Sequence, residues 1–210
     1  MRLWESIGAQ TGAGTPAELH APGVSIELAQ LARRSALGGQ IESLRGRVVL
    51  IAVQQQLTAA LALIELDGVA RRVVLCPPDL DAAHLPAVIH ESGADACIRE
   101  QAQAPLGAAQ IAVHAAISPT LAHEGIVRRS SEQTEWILLT SGTSGAPKLV
   151  LHTLASLCSA FASQPRPSKP IVWSTFYDIR RYGGLQILLR ALHAGALVLA
   201  DASDAVPDFL

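Results

Sequence analysis

The chain has 210 residues, half of them apolar and 16% charged, with a formal net charge of −2. That length holds one substantial core or two small ones, and the apolar share is too high for a disordered chain. No run of Lys or Arg exceeds two residues, so the basic stripe by which proteins displace counterions from nucleic acid is missing.

Residues 24–37 (VSIELAQLARRSAL) place apolar side chains at helical intervals before Gly38-Gly39, which predicts a helix with a glycine stop. Val48 to Val53 is a continuous, partly β-branched run, as in a strand covered on both faces. Residues 56–68 read as a helix closing at Gly68, with Glu65 and Asp67 near its end expected in solvent. Val73-Val74-Leu75 is the next strand, stopped by Pro77-Pro78. Asp79 or Asp81 then caps a helix to about Ser92, Asp95 to Arg99 forms a short strand, and residues 110–117 form another. Strand, crossover helix and strand at this rhythm imply an α/β fold with a mainly parallel sheet and right-handed connections.

Residues 118–133 are polar and punctuated, a surface connector and the expected sub-boundary within a single unit spanning 1–210. Trp136 to Leu139 is a buried strand and Leu149 to Leu151 another, followed by a helix over 153–163. Gln164 to Pro170 holds three prolines and must be a loop. Ile171-Val172-Trp173 is a strand, 184–194 an amphipathic helix and Ala196 to Leu199 a last strand. The closing DASDAVPDFL reads as a new helix beginning rather than as the natural end of a domain.

Cys76, Cys97 and Cys158 lie far apart in apolar settings, which reads as three reduced, buried thiols and a cytoplasmic location. No CxxC or HxxxH spacing supports a metal site. The start of the chain lacks the apolar core of a signal peptide. The greasiest stretch, Leu185 to Ala200, is interrupted by Arg190, His193 and Gly195 and falls short of the roughly 20 residues that span a bilayer.

The chemistry concentrates in Thr140-Ser141-Gly142-Thr143-Ser144-Gly145-Ala146-Pro147-Lys148. Gly142 and Gly145 let the backbone take positive φ and approach a ligand closely. Successive amides in such a turn converge on an anion. Thr140, Ser141, Thr143 and Ser144 add hydroxyl donors, and Lys148 adds a charge after Pro147 has fixed the chain direction. This set suits a polyphosphate. It is not a Walker loop, because Pro147 stands where GxxxxGK[ST] needs glycine and Leu149 offers no hydroxyl. Nor is it a nucleophile elbow, since Ala146 replaces the last glycine of GxSxG. An apolar, strand-like run follows, so hydroxyls and amides rather than a helix end must grip the anion.

Trp136 to Lys148 (WILLTSGTSGAPK) resembles the phosphate-loop signature of the adenylate-forming superfamily, which includes acyl-CoA synthetases, aryl-acid ligases and peptide-synthetase adenylation domains. Leu149 departs from the glycine often found there, while His152-Thr153 falls on a familiar His-Thr pair. More weakly, residues 47–79, 89–98 and 183–199 follow the family's first strands and helices, so the chain is similar to the first part of the large N-terminal domain.

The resemblance implies ATP and Mg2+ as cofactors, with Thr140 to Gly145 and Lys148 holding phosphate and the magnesium ligand outside this stretch. It implies a carboxylic acid as substrate and a thiol of coenzyme A or a carrier protein as acyl acceptor. It places Tyr177, Arg180, Tyr182 and Gly183 at the acid pocket, with Arg180 where acyl-CoA synthetases commonly carry histidine. Arg180 can meet a carboxylate or phosphate there, or else form an exposed pair with Arg181 at a helix start or serve as a structural partner for Asp178. The family's later motifs and mobile C-terminal domain are missing, so no catalytic residue is expected in this stretch beyond the phosphate-stabilising Lys148. The expectation is an incomplete enzyme: a truncated piece foremost, otherwise a natural fragment completed by another chain, or a degenerate module. Two rival readings stand beside it: a hydrolase using Ser141 or Ser144 with Lys148, and a non-catalytic module that binds nucleotide or a partner chain.

Overall fold

The computed structural model describes residue 3 and residues 17–101, 103, 106–122, 132–140, 145–165 and 171–199. Its frame is a six-stranded sheet of β3 (Val48–Ile51), β4 (Arg72–Leu75), β5 (Ala96–Glu100), β6 (Val113–Ile117), β7 (Glu135–Thr140) and β8 (Lys148–Thr153), ordered β6-β5-β3-β4-β7-β8. Five strands run parallel and β8 returns antiparallel to β7. A four-stranded sheet, β2-β1-β10-β9, combines β1 (Glu18–Ala21) and β2 (Val24–Glu27) with β9 (Ile171–Thr175) and β10 (Gly195–Leu199). The helices are α1 (Gln56–Leu66), α2 (Leu85–Ser92), α3 (Leu154–Cys158) and α4 (Tyr182–Ala194). Mixed α/β architecture with largely parallel sheets is what the alternating pattern predicts.

Helix α1 is buried at every position, and one core joins it to Leu19 and Leu197 of the smaller sheet and to Val49, Ile51 and Val73 of the larger. A helix apolar on all sides needs cover on all sides, and two sheets supply it. The opposite face of the larger sheet carries a second core, in which Val48, Leu50, Val74, Cys97 and Ile137 meet Val88 and Ile89 of α2. Strand alternation divides the two sets, Val49 and Ile51 facing one way, Val48 and Leu50 the other.

The helix expected over 24–37 does not form. Val24–Glu27 is instead β2, turned back on β1 around Gly23 at φ 72°, with Leu19 opposite Ile26. Only Leu28–Ala32 coils, as a five-residue 3-10 turn that buries Leu28 and Leu31. The helical spacing is real but too short, and the β-branched Val24 and Ile26 gain more from the sheet. Two other elements are shorter than expected: β6 begins at Val113, and α3 ends at Cys158. Asp81, not Asp79, provides the cap before α2, accepting from the Ala83 amide at 2.9 Å. The connector 118–133 joins β6 to β7, and residues 123–131 of it lie outside the described residues.

Glu65 and Asp67 are also not solvated: they are only 1% and 7% exposed. Glu65 accepts from the Ser35 hydroxyl and from the Ala36 amide at 2.6 Å, and Asp67 accepts from the Leu3 amide at 2.8 Å. Acidic type suggested solvent, but the irregular chain around Ser35 carries donors that need acceptors inside the core. Glu65→Ala is expected to destabilise the fold by about 2 kcal/mol, through donors left without a partner. Urea unfolding measures this, and an unchanged midpoint would mean that Glu65 carries no structural role.

Candidate functional site

Strand β7 pairs with β8 from Glu135 opposite Thr153 to Thr140 opposite Lys148, so the Ser/Gly/Thr segment is the turn of a hairpin. Thr140 Oγ1 donates to the Lys148 carbonyl at 3.5 Å, closing its base. Gly145 sits at φ 85°, in the left-handed region, with open space where a Cβ would stand. Thr140, Gly145 and Lys148 are all exposed, and Lys148 forms no ion pair with a described residue. Ser141, Gly142, Thr143 and Ser144 lie outside the described residues. A strand rather than a helix follows the turn, as the apolar run Leu149-Val150-Leu151 requires.

The turn leaves the carboxyl end of β7, the same edge from which β3, β4 and β5 emit their loops, where open α/β sheets take ligands. Another anion-binding device on that edge would be the N-terminus of α1, and it is already occupied. The Glu100 carboxylate, at the end of β5, accepts from the Gln54 and Gln55 amides at 2.8 Å and from the Thr58 hydroxyl at 2.9 Å. A fixed carboxylate there neutralises the positive helix end and would repel a phosphate.

Beside this edge runs the segment joining β9 to α4. Arg180 is 1% exposed and grips both Asp178 oxygens, with Nε to Oδ1 at 2.7 Å and Nη2 to Oδ2 at 2.9 Å. Its Nη1 donates to the Val53 carbonyl at 2.6 Å and to Gln54 at 3.0 Å. Arg180 thus has the geometry of a structural partner for Asp178, with four of its five N–H donors bonded within the protein. The Ile179 amide donates to Gln56 Oε1 at 2.8 Å, a second tie to the start of α1. Arg181 reaches Asp79 at 2.7 Å, an exposed pair of little energetic weight.

These ties fix the neighbouring aromatics while leaving them in solvent: Phe176 is 63% exposed, Tyr177 72% and Tyr182 53%. Tyr182 lies 5.8 Å, centroid to centroid, from the ring of His152, so the end of β8 meets the start of α4. Gly183 faces open space, whereas a Cβ on Gly184 would stand 2.3 Å from the Asp178 carbonyl oxygen. Gly184 thus lets the 177–178 backbone cross the first turn of α4.

Cys76, Cys97 and Cys158 are free and buried, and burial pushes their thiols up to about 11, 12 and 11. Among the described residues no three His, Cys, Asp or Glu side chains gather to hold a metal ion, and no helix is long and apolar enough to cross a membrane. Glu100 and Gln56 carry the local architecture without having been singled out in the sequence, whereas Asp178 was named there as a partner for Arg180. Glu100 comes to α1 only through the parallel β3–β5 pairing, and no local signal announces that.

This fold is that of the N-terminal part of the adenylate-forming ligases. Solved structures matching it include the o-succinylbenzoate coenzyme A synthetase MenE from Bacillus subtilis, at TM-score 0.76 and 16% identity, over 100% of this chain and 46% of that one. The N-terminal domain of FACL13 from Mycobacterium tuberculosis matches at TM-score 0.66 and 17% identity, over 99% of this chain and 59% of that one. A malonyl-CoA ligase matches at TM-score 0.71 and 19% identity, over 98% and 45%. The chain thus spans about half the length of these proteins. No family model and no curated protein sequence matches it, so the likeness is carried by three-dimensional structure.

Two outcomes follow from this geometry. Arg180→Met removes the guanidinium from the Asp178 carboxylate, which keeps the residue-180 amide, and from two carbonyls, and thermal or urea unfolding should record a loss of about 3 kcal/mol. A loss under about 0.5 kcal/mol would show that the clamp is dispensable. For the cysteines, a raised pKa means less thiolate at any given pH below it. In the folded chain all three should react with iodoacetamide at about pH 8 far more slowly than in urea-unfolded chain. Equal rates would contradict their burial.

Proposed function

We propose that this chain is the phosphate-binding part of a ligase that activates a carboxylic acid as its adenylate, using ATP and Mg2+. One observation carries the reading: the glycine- and hydroxyl-rich turn is closed by Thr140 opposite Lys148 at the carboxyl end of a parallel strand. Glu100 already occupies the competing anion site at α1, which supports the turn as the phosphate site.

The described residues suit a nucleotide's phosphates. Gly145 holds a left-handed backbone conformation with open space beside it, and Lys148 is exposed. ATP, when bound, supplies the adenylyl group and a pyrophosphate leaving group. Thr140, Ser141, Thr143, Ser144 and the amides of Gly142 and Gly145 hold the β- and γ-phosphates, and Lys148 shields their charge as pyrophosphate departs. Tyr177, Tyr182 and Gly183 line the acid's approach, while Arg180 positions that wall rather than touching substrate. The acyl group then passes to a thiol of coenzyme A or a carrier protein, in the complete enzyme. Related folds support this scheme by what they hold: one MenE structure contains AMP, another the acyl-adenylate intermediate OSB-AMP, and the malonyl-CoA ligase contains methylmalonyl-CoA with AMP.

In the full-length protein, Lys148→Ala combined with Thr143→Ala should lower ATP-dependent pyrophosphate exchange about 10²-fold or more, the scale of losing preorganised donors. Unchanged exchange would refute the role of the turn.

A further inference from the structure

The main chain under Tyr182 is fixed. Tyr182 opens α4, the Arg181 amide donates to the Asp178 carbonyl at 3.0 Å, and that same carbonyl crosses Gly184. Its side chain has no such restraint from hydrogen bonds: the residue is exposed and its hydroxyl bonds to no described residue. An exposed phenol on a rigid backbone keeps several rotamers open, and a ring that lines a site needs one of them selected. The ring of His152 provides the selection. The two centroids lie 5.8 Å apart with their planes tilted by 40°, within the range of paired aromatic rings.

His152 stands on β8, the strand that also carries Lys148. Alternation sets Lys148, Val150 and His152 on one face, together with their partners Thr140, Leu138 and Trp136. Leu138 and Trp136 belong to the core that Leu185 and Leu188 of α4 complete, so this face looks toward the helix that Tyr182 opens. His152 lies four residues on from Lys148, about 13 Å along the strand. Val150 between them is exposed, which leaves the strip open to a ligand.

We propose that His152 is a positioning residue, whose ring holds Tyr182 in a set place relative to Lys148, with β8 as the ruler between them. The inference rests on the reading of Lys148 and Tyr182 as parts of one ligase site, and it adds the element that sets their spacing. A strand bonded along its length to β7 scarcely stretches, so a ligand gripped at the hairpin meets the Tyr182 ring at a constant distance. Without the imidazole, the ligand itself must order that ring, which weakens binding about threefold to tenfold. No described residue hydrogen-bonds to the His152 ring. Tyr182 therefore meets its shape rather than its nitrogens, and His152→Phe should replace it.

The chain has two tyrosines, Tyr177 and Tyr182, so labelling with 3-fluorotyrosine gives two fluorine resonances, assigned through Tyr182→Phe. In the folded 210-residue chain, His152→Ala should move the Tyr182 resonance toward its urea-unfolded position and leave that of Tyr177 in place. His152→Phe should keep the Tyr182 resonance away from the unfolded position. An unmoved Tyr182 resonance in His152→Ala overturns the proposal, as does equal movement of both resonances, which marks a general loosening. Pyrophosphate exchange in the full-length protein, with benzoate and hexanoate as probe acids, supplies the functional readout. His152→Ala should raise the KM for the acid about threefold to tenfold, leave the KM for ATP unchanged, and be rescued by His152→Phe. An unchanged acid KM beside a displaced Tyr182 resonance overturns the positioning role. Exchange missing from the unsubstituted protein counts against the ligase reading instead, and the fluorine spectra still decide whether His152 holds Tyr182.

Discussion

The turn between β3 and α1 is held from two sides by opposite charges, and much of the site's geometry depends on that grip. Its amides at Gln54 and Gln55 point to Glu100, and its carbonyls at Val53 and Gln54 point to Arg180. The Val53 carbonyl is buried and needs a donor from the protein, while the exposed Gln54 and Gln55 gain fixed partners in place of water. The acceptor comes from the neighbouring strand, the donor from a segment more than a hundred residues along the chain. That second contact fastens the approach to α4 against the edge of the larger sheet.

A charge buried this deeply needs hydrogen bonds, and Arg180 makes four, to Asp178 and two carbonyls. These bonds tie its segment to the scaffold. Its neighbours inherit the benefit, because exposed Phe176, Tyr177 and Tyr182 stand on backbone tied to α1 instead of on a loose loop. Preorganisation of this kind lets exposed side chains act with little ordering cost.

Local pattern made most of the larger sheet legible. The runs at Val48, Val73 and Trp136 are apolar throughout because both faces of those strands are covered. The helix over 56–68 was legible too, though its all-round burial was not, since that depends on a second sheet assembled from both ends of the described chain. The segment from Val24 misled because its leucine spacing persists for only one short coil, while pairing with β1 is invisible without Gly23's turn in view. Glu65, Asp67 and Glu100 shared another difficulty. A carboxylate looks the same in sequence whether it meets water or backbone amides, and only the fold distinguishes them. The segment 140–148 stands out by composition alone, since its glycines, hydroxyls and lysine cluster without need of tertiary context, and the structure sets it between the antiparallel strands β7 and β8.

The crossing at Gly184 limits how this architecture can diversify. With the Asp178 carbonyl lodged against the first turn of α4, the backbone of the aromatic segment cannot drift without carrying the helix, and the helix packs on both β9 and β10. Divergent relatives built on this frame would therefore vary this edge by exchanging side chains on a stationary main chain. Gly183, facing empty space next to that crossing, is the position where added bulk meets least resistance.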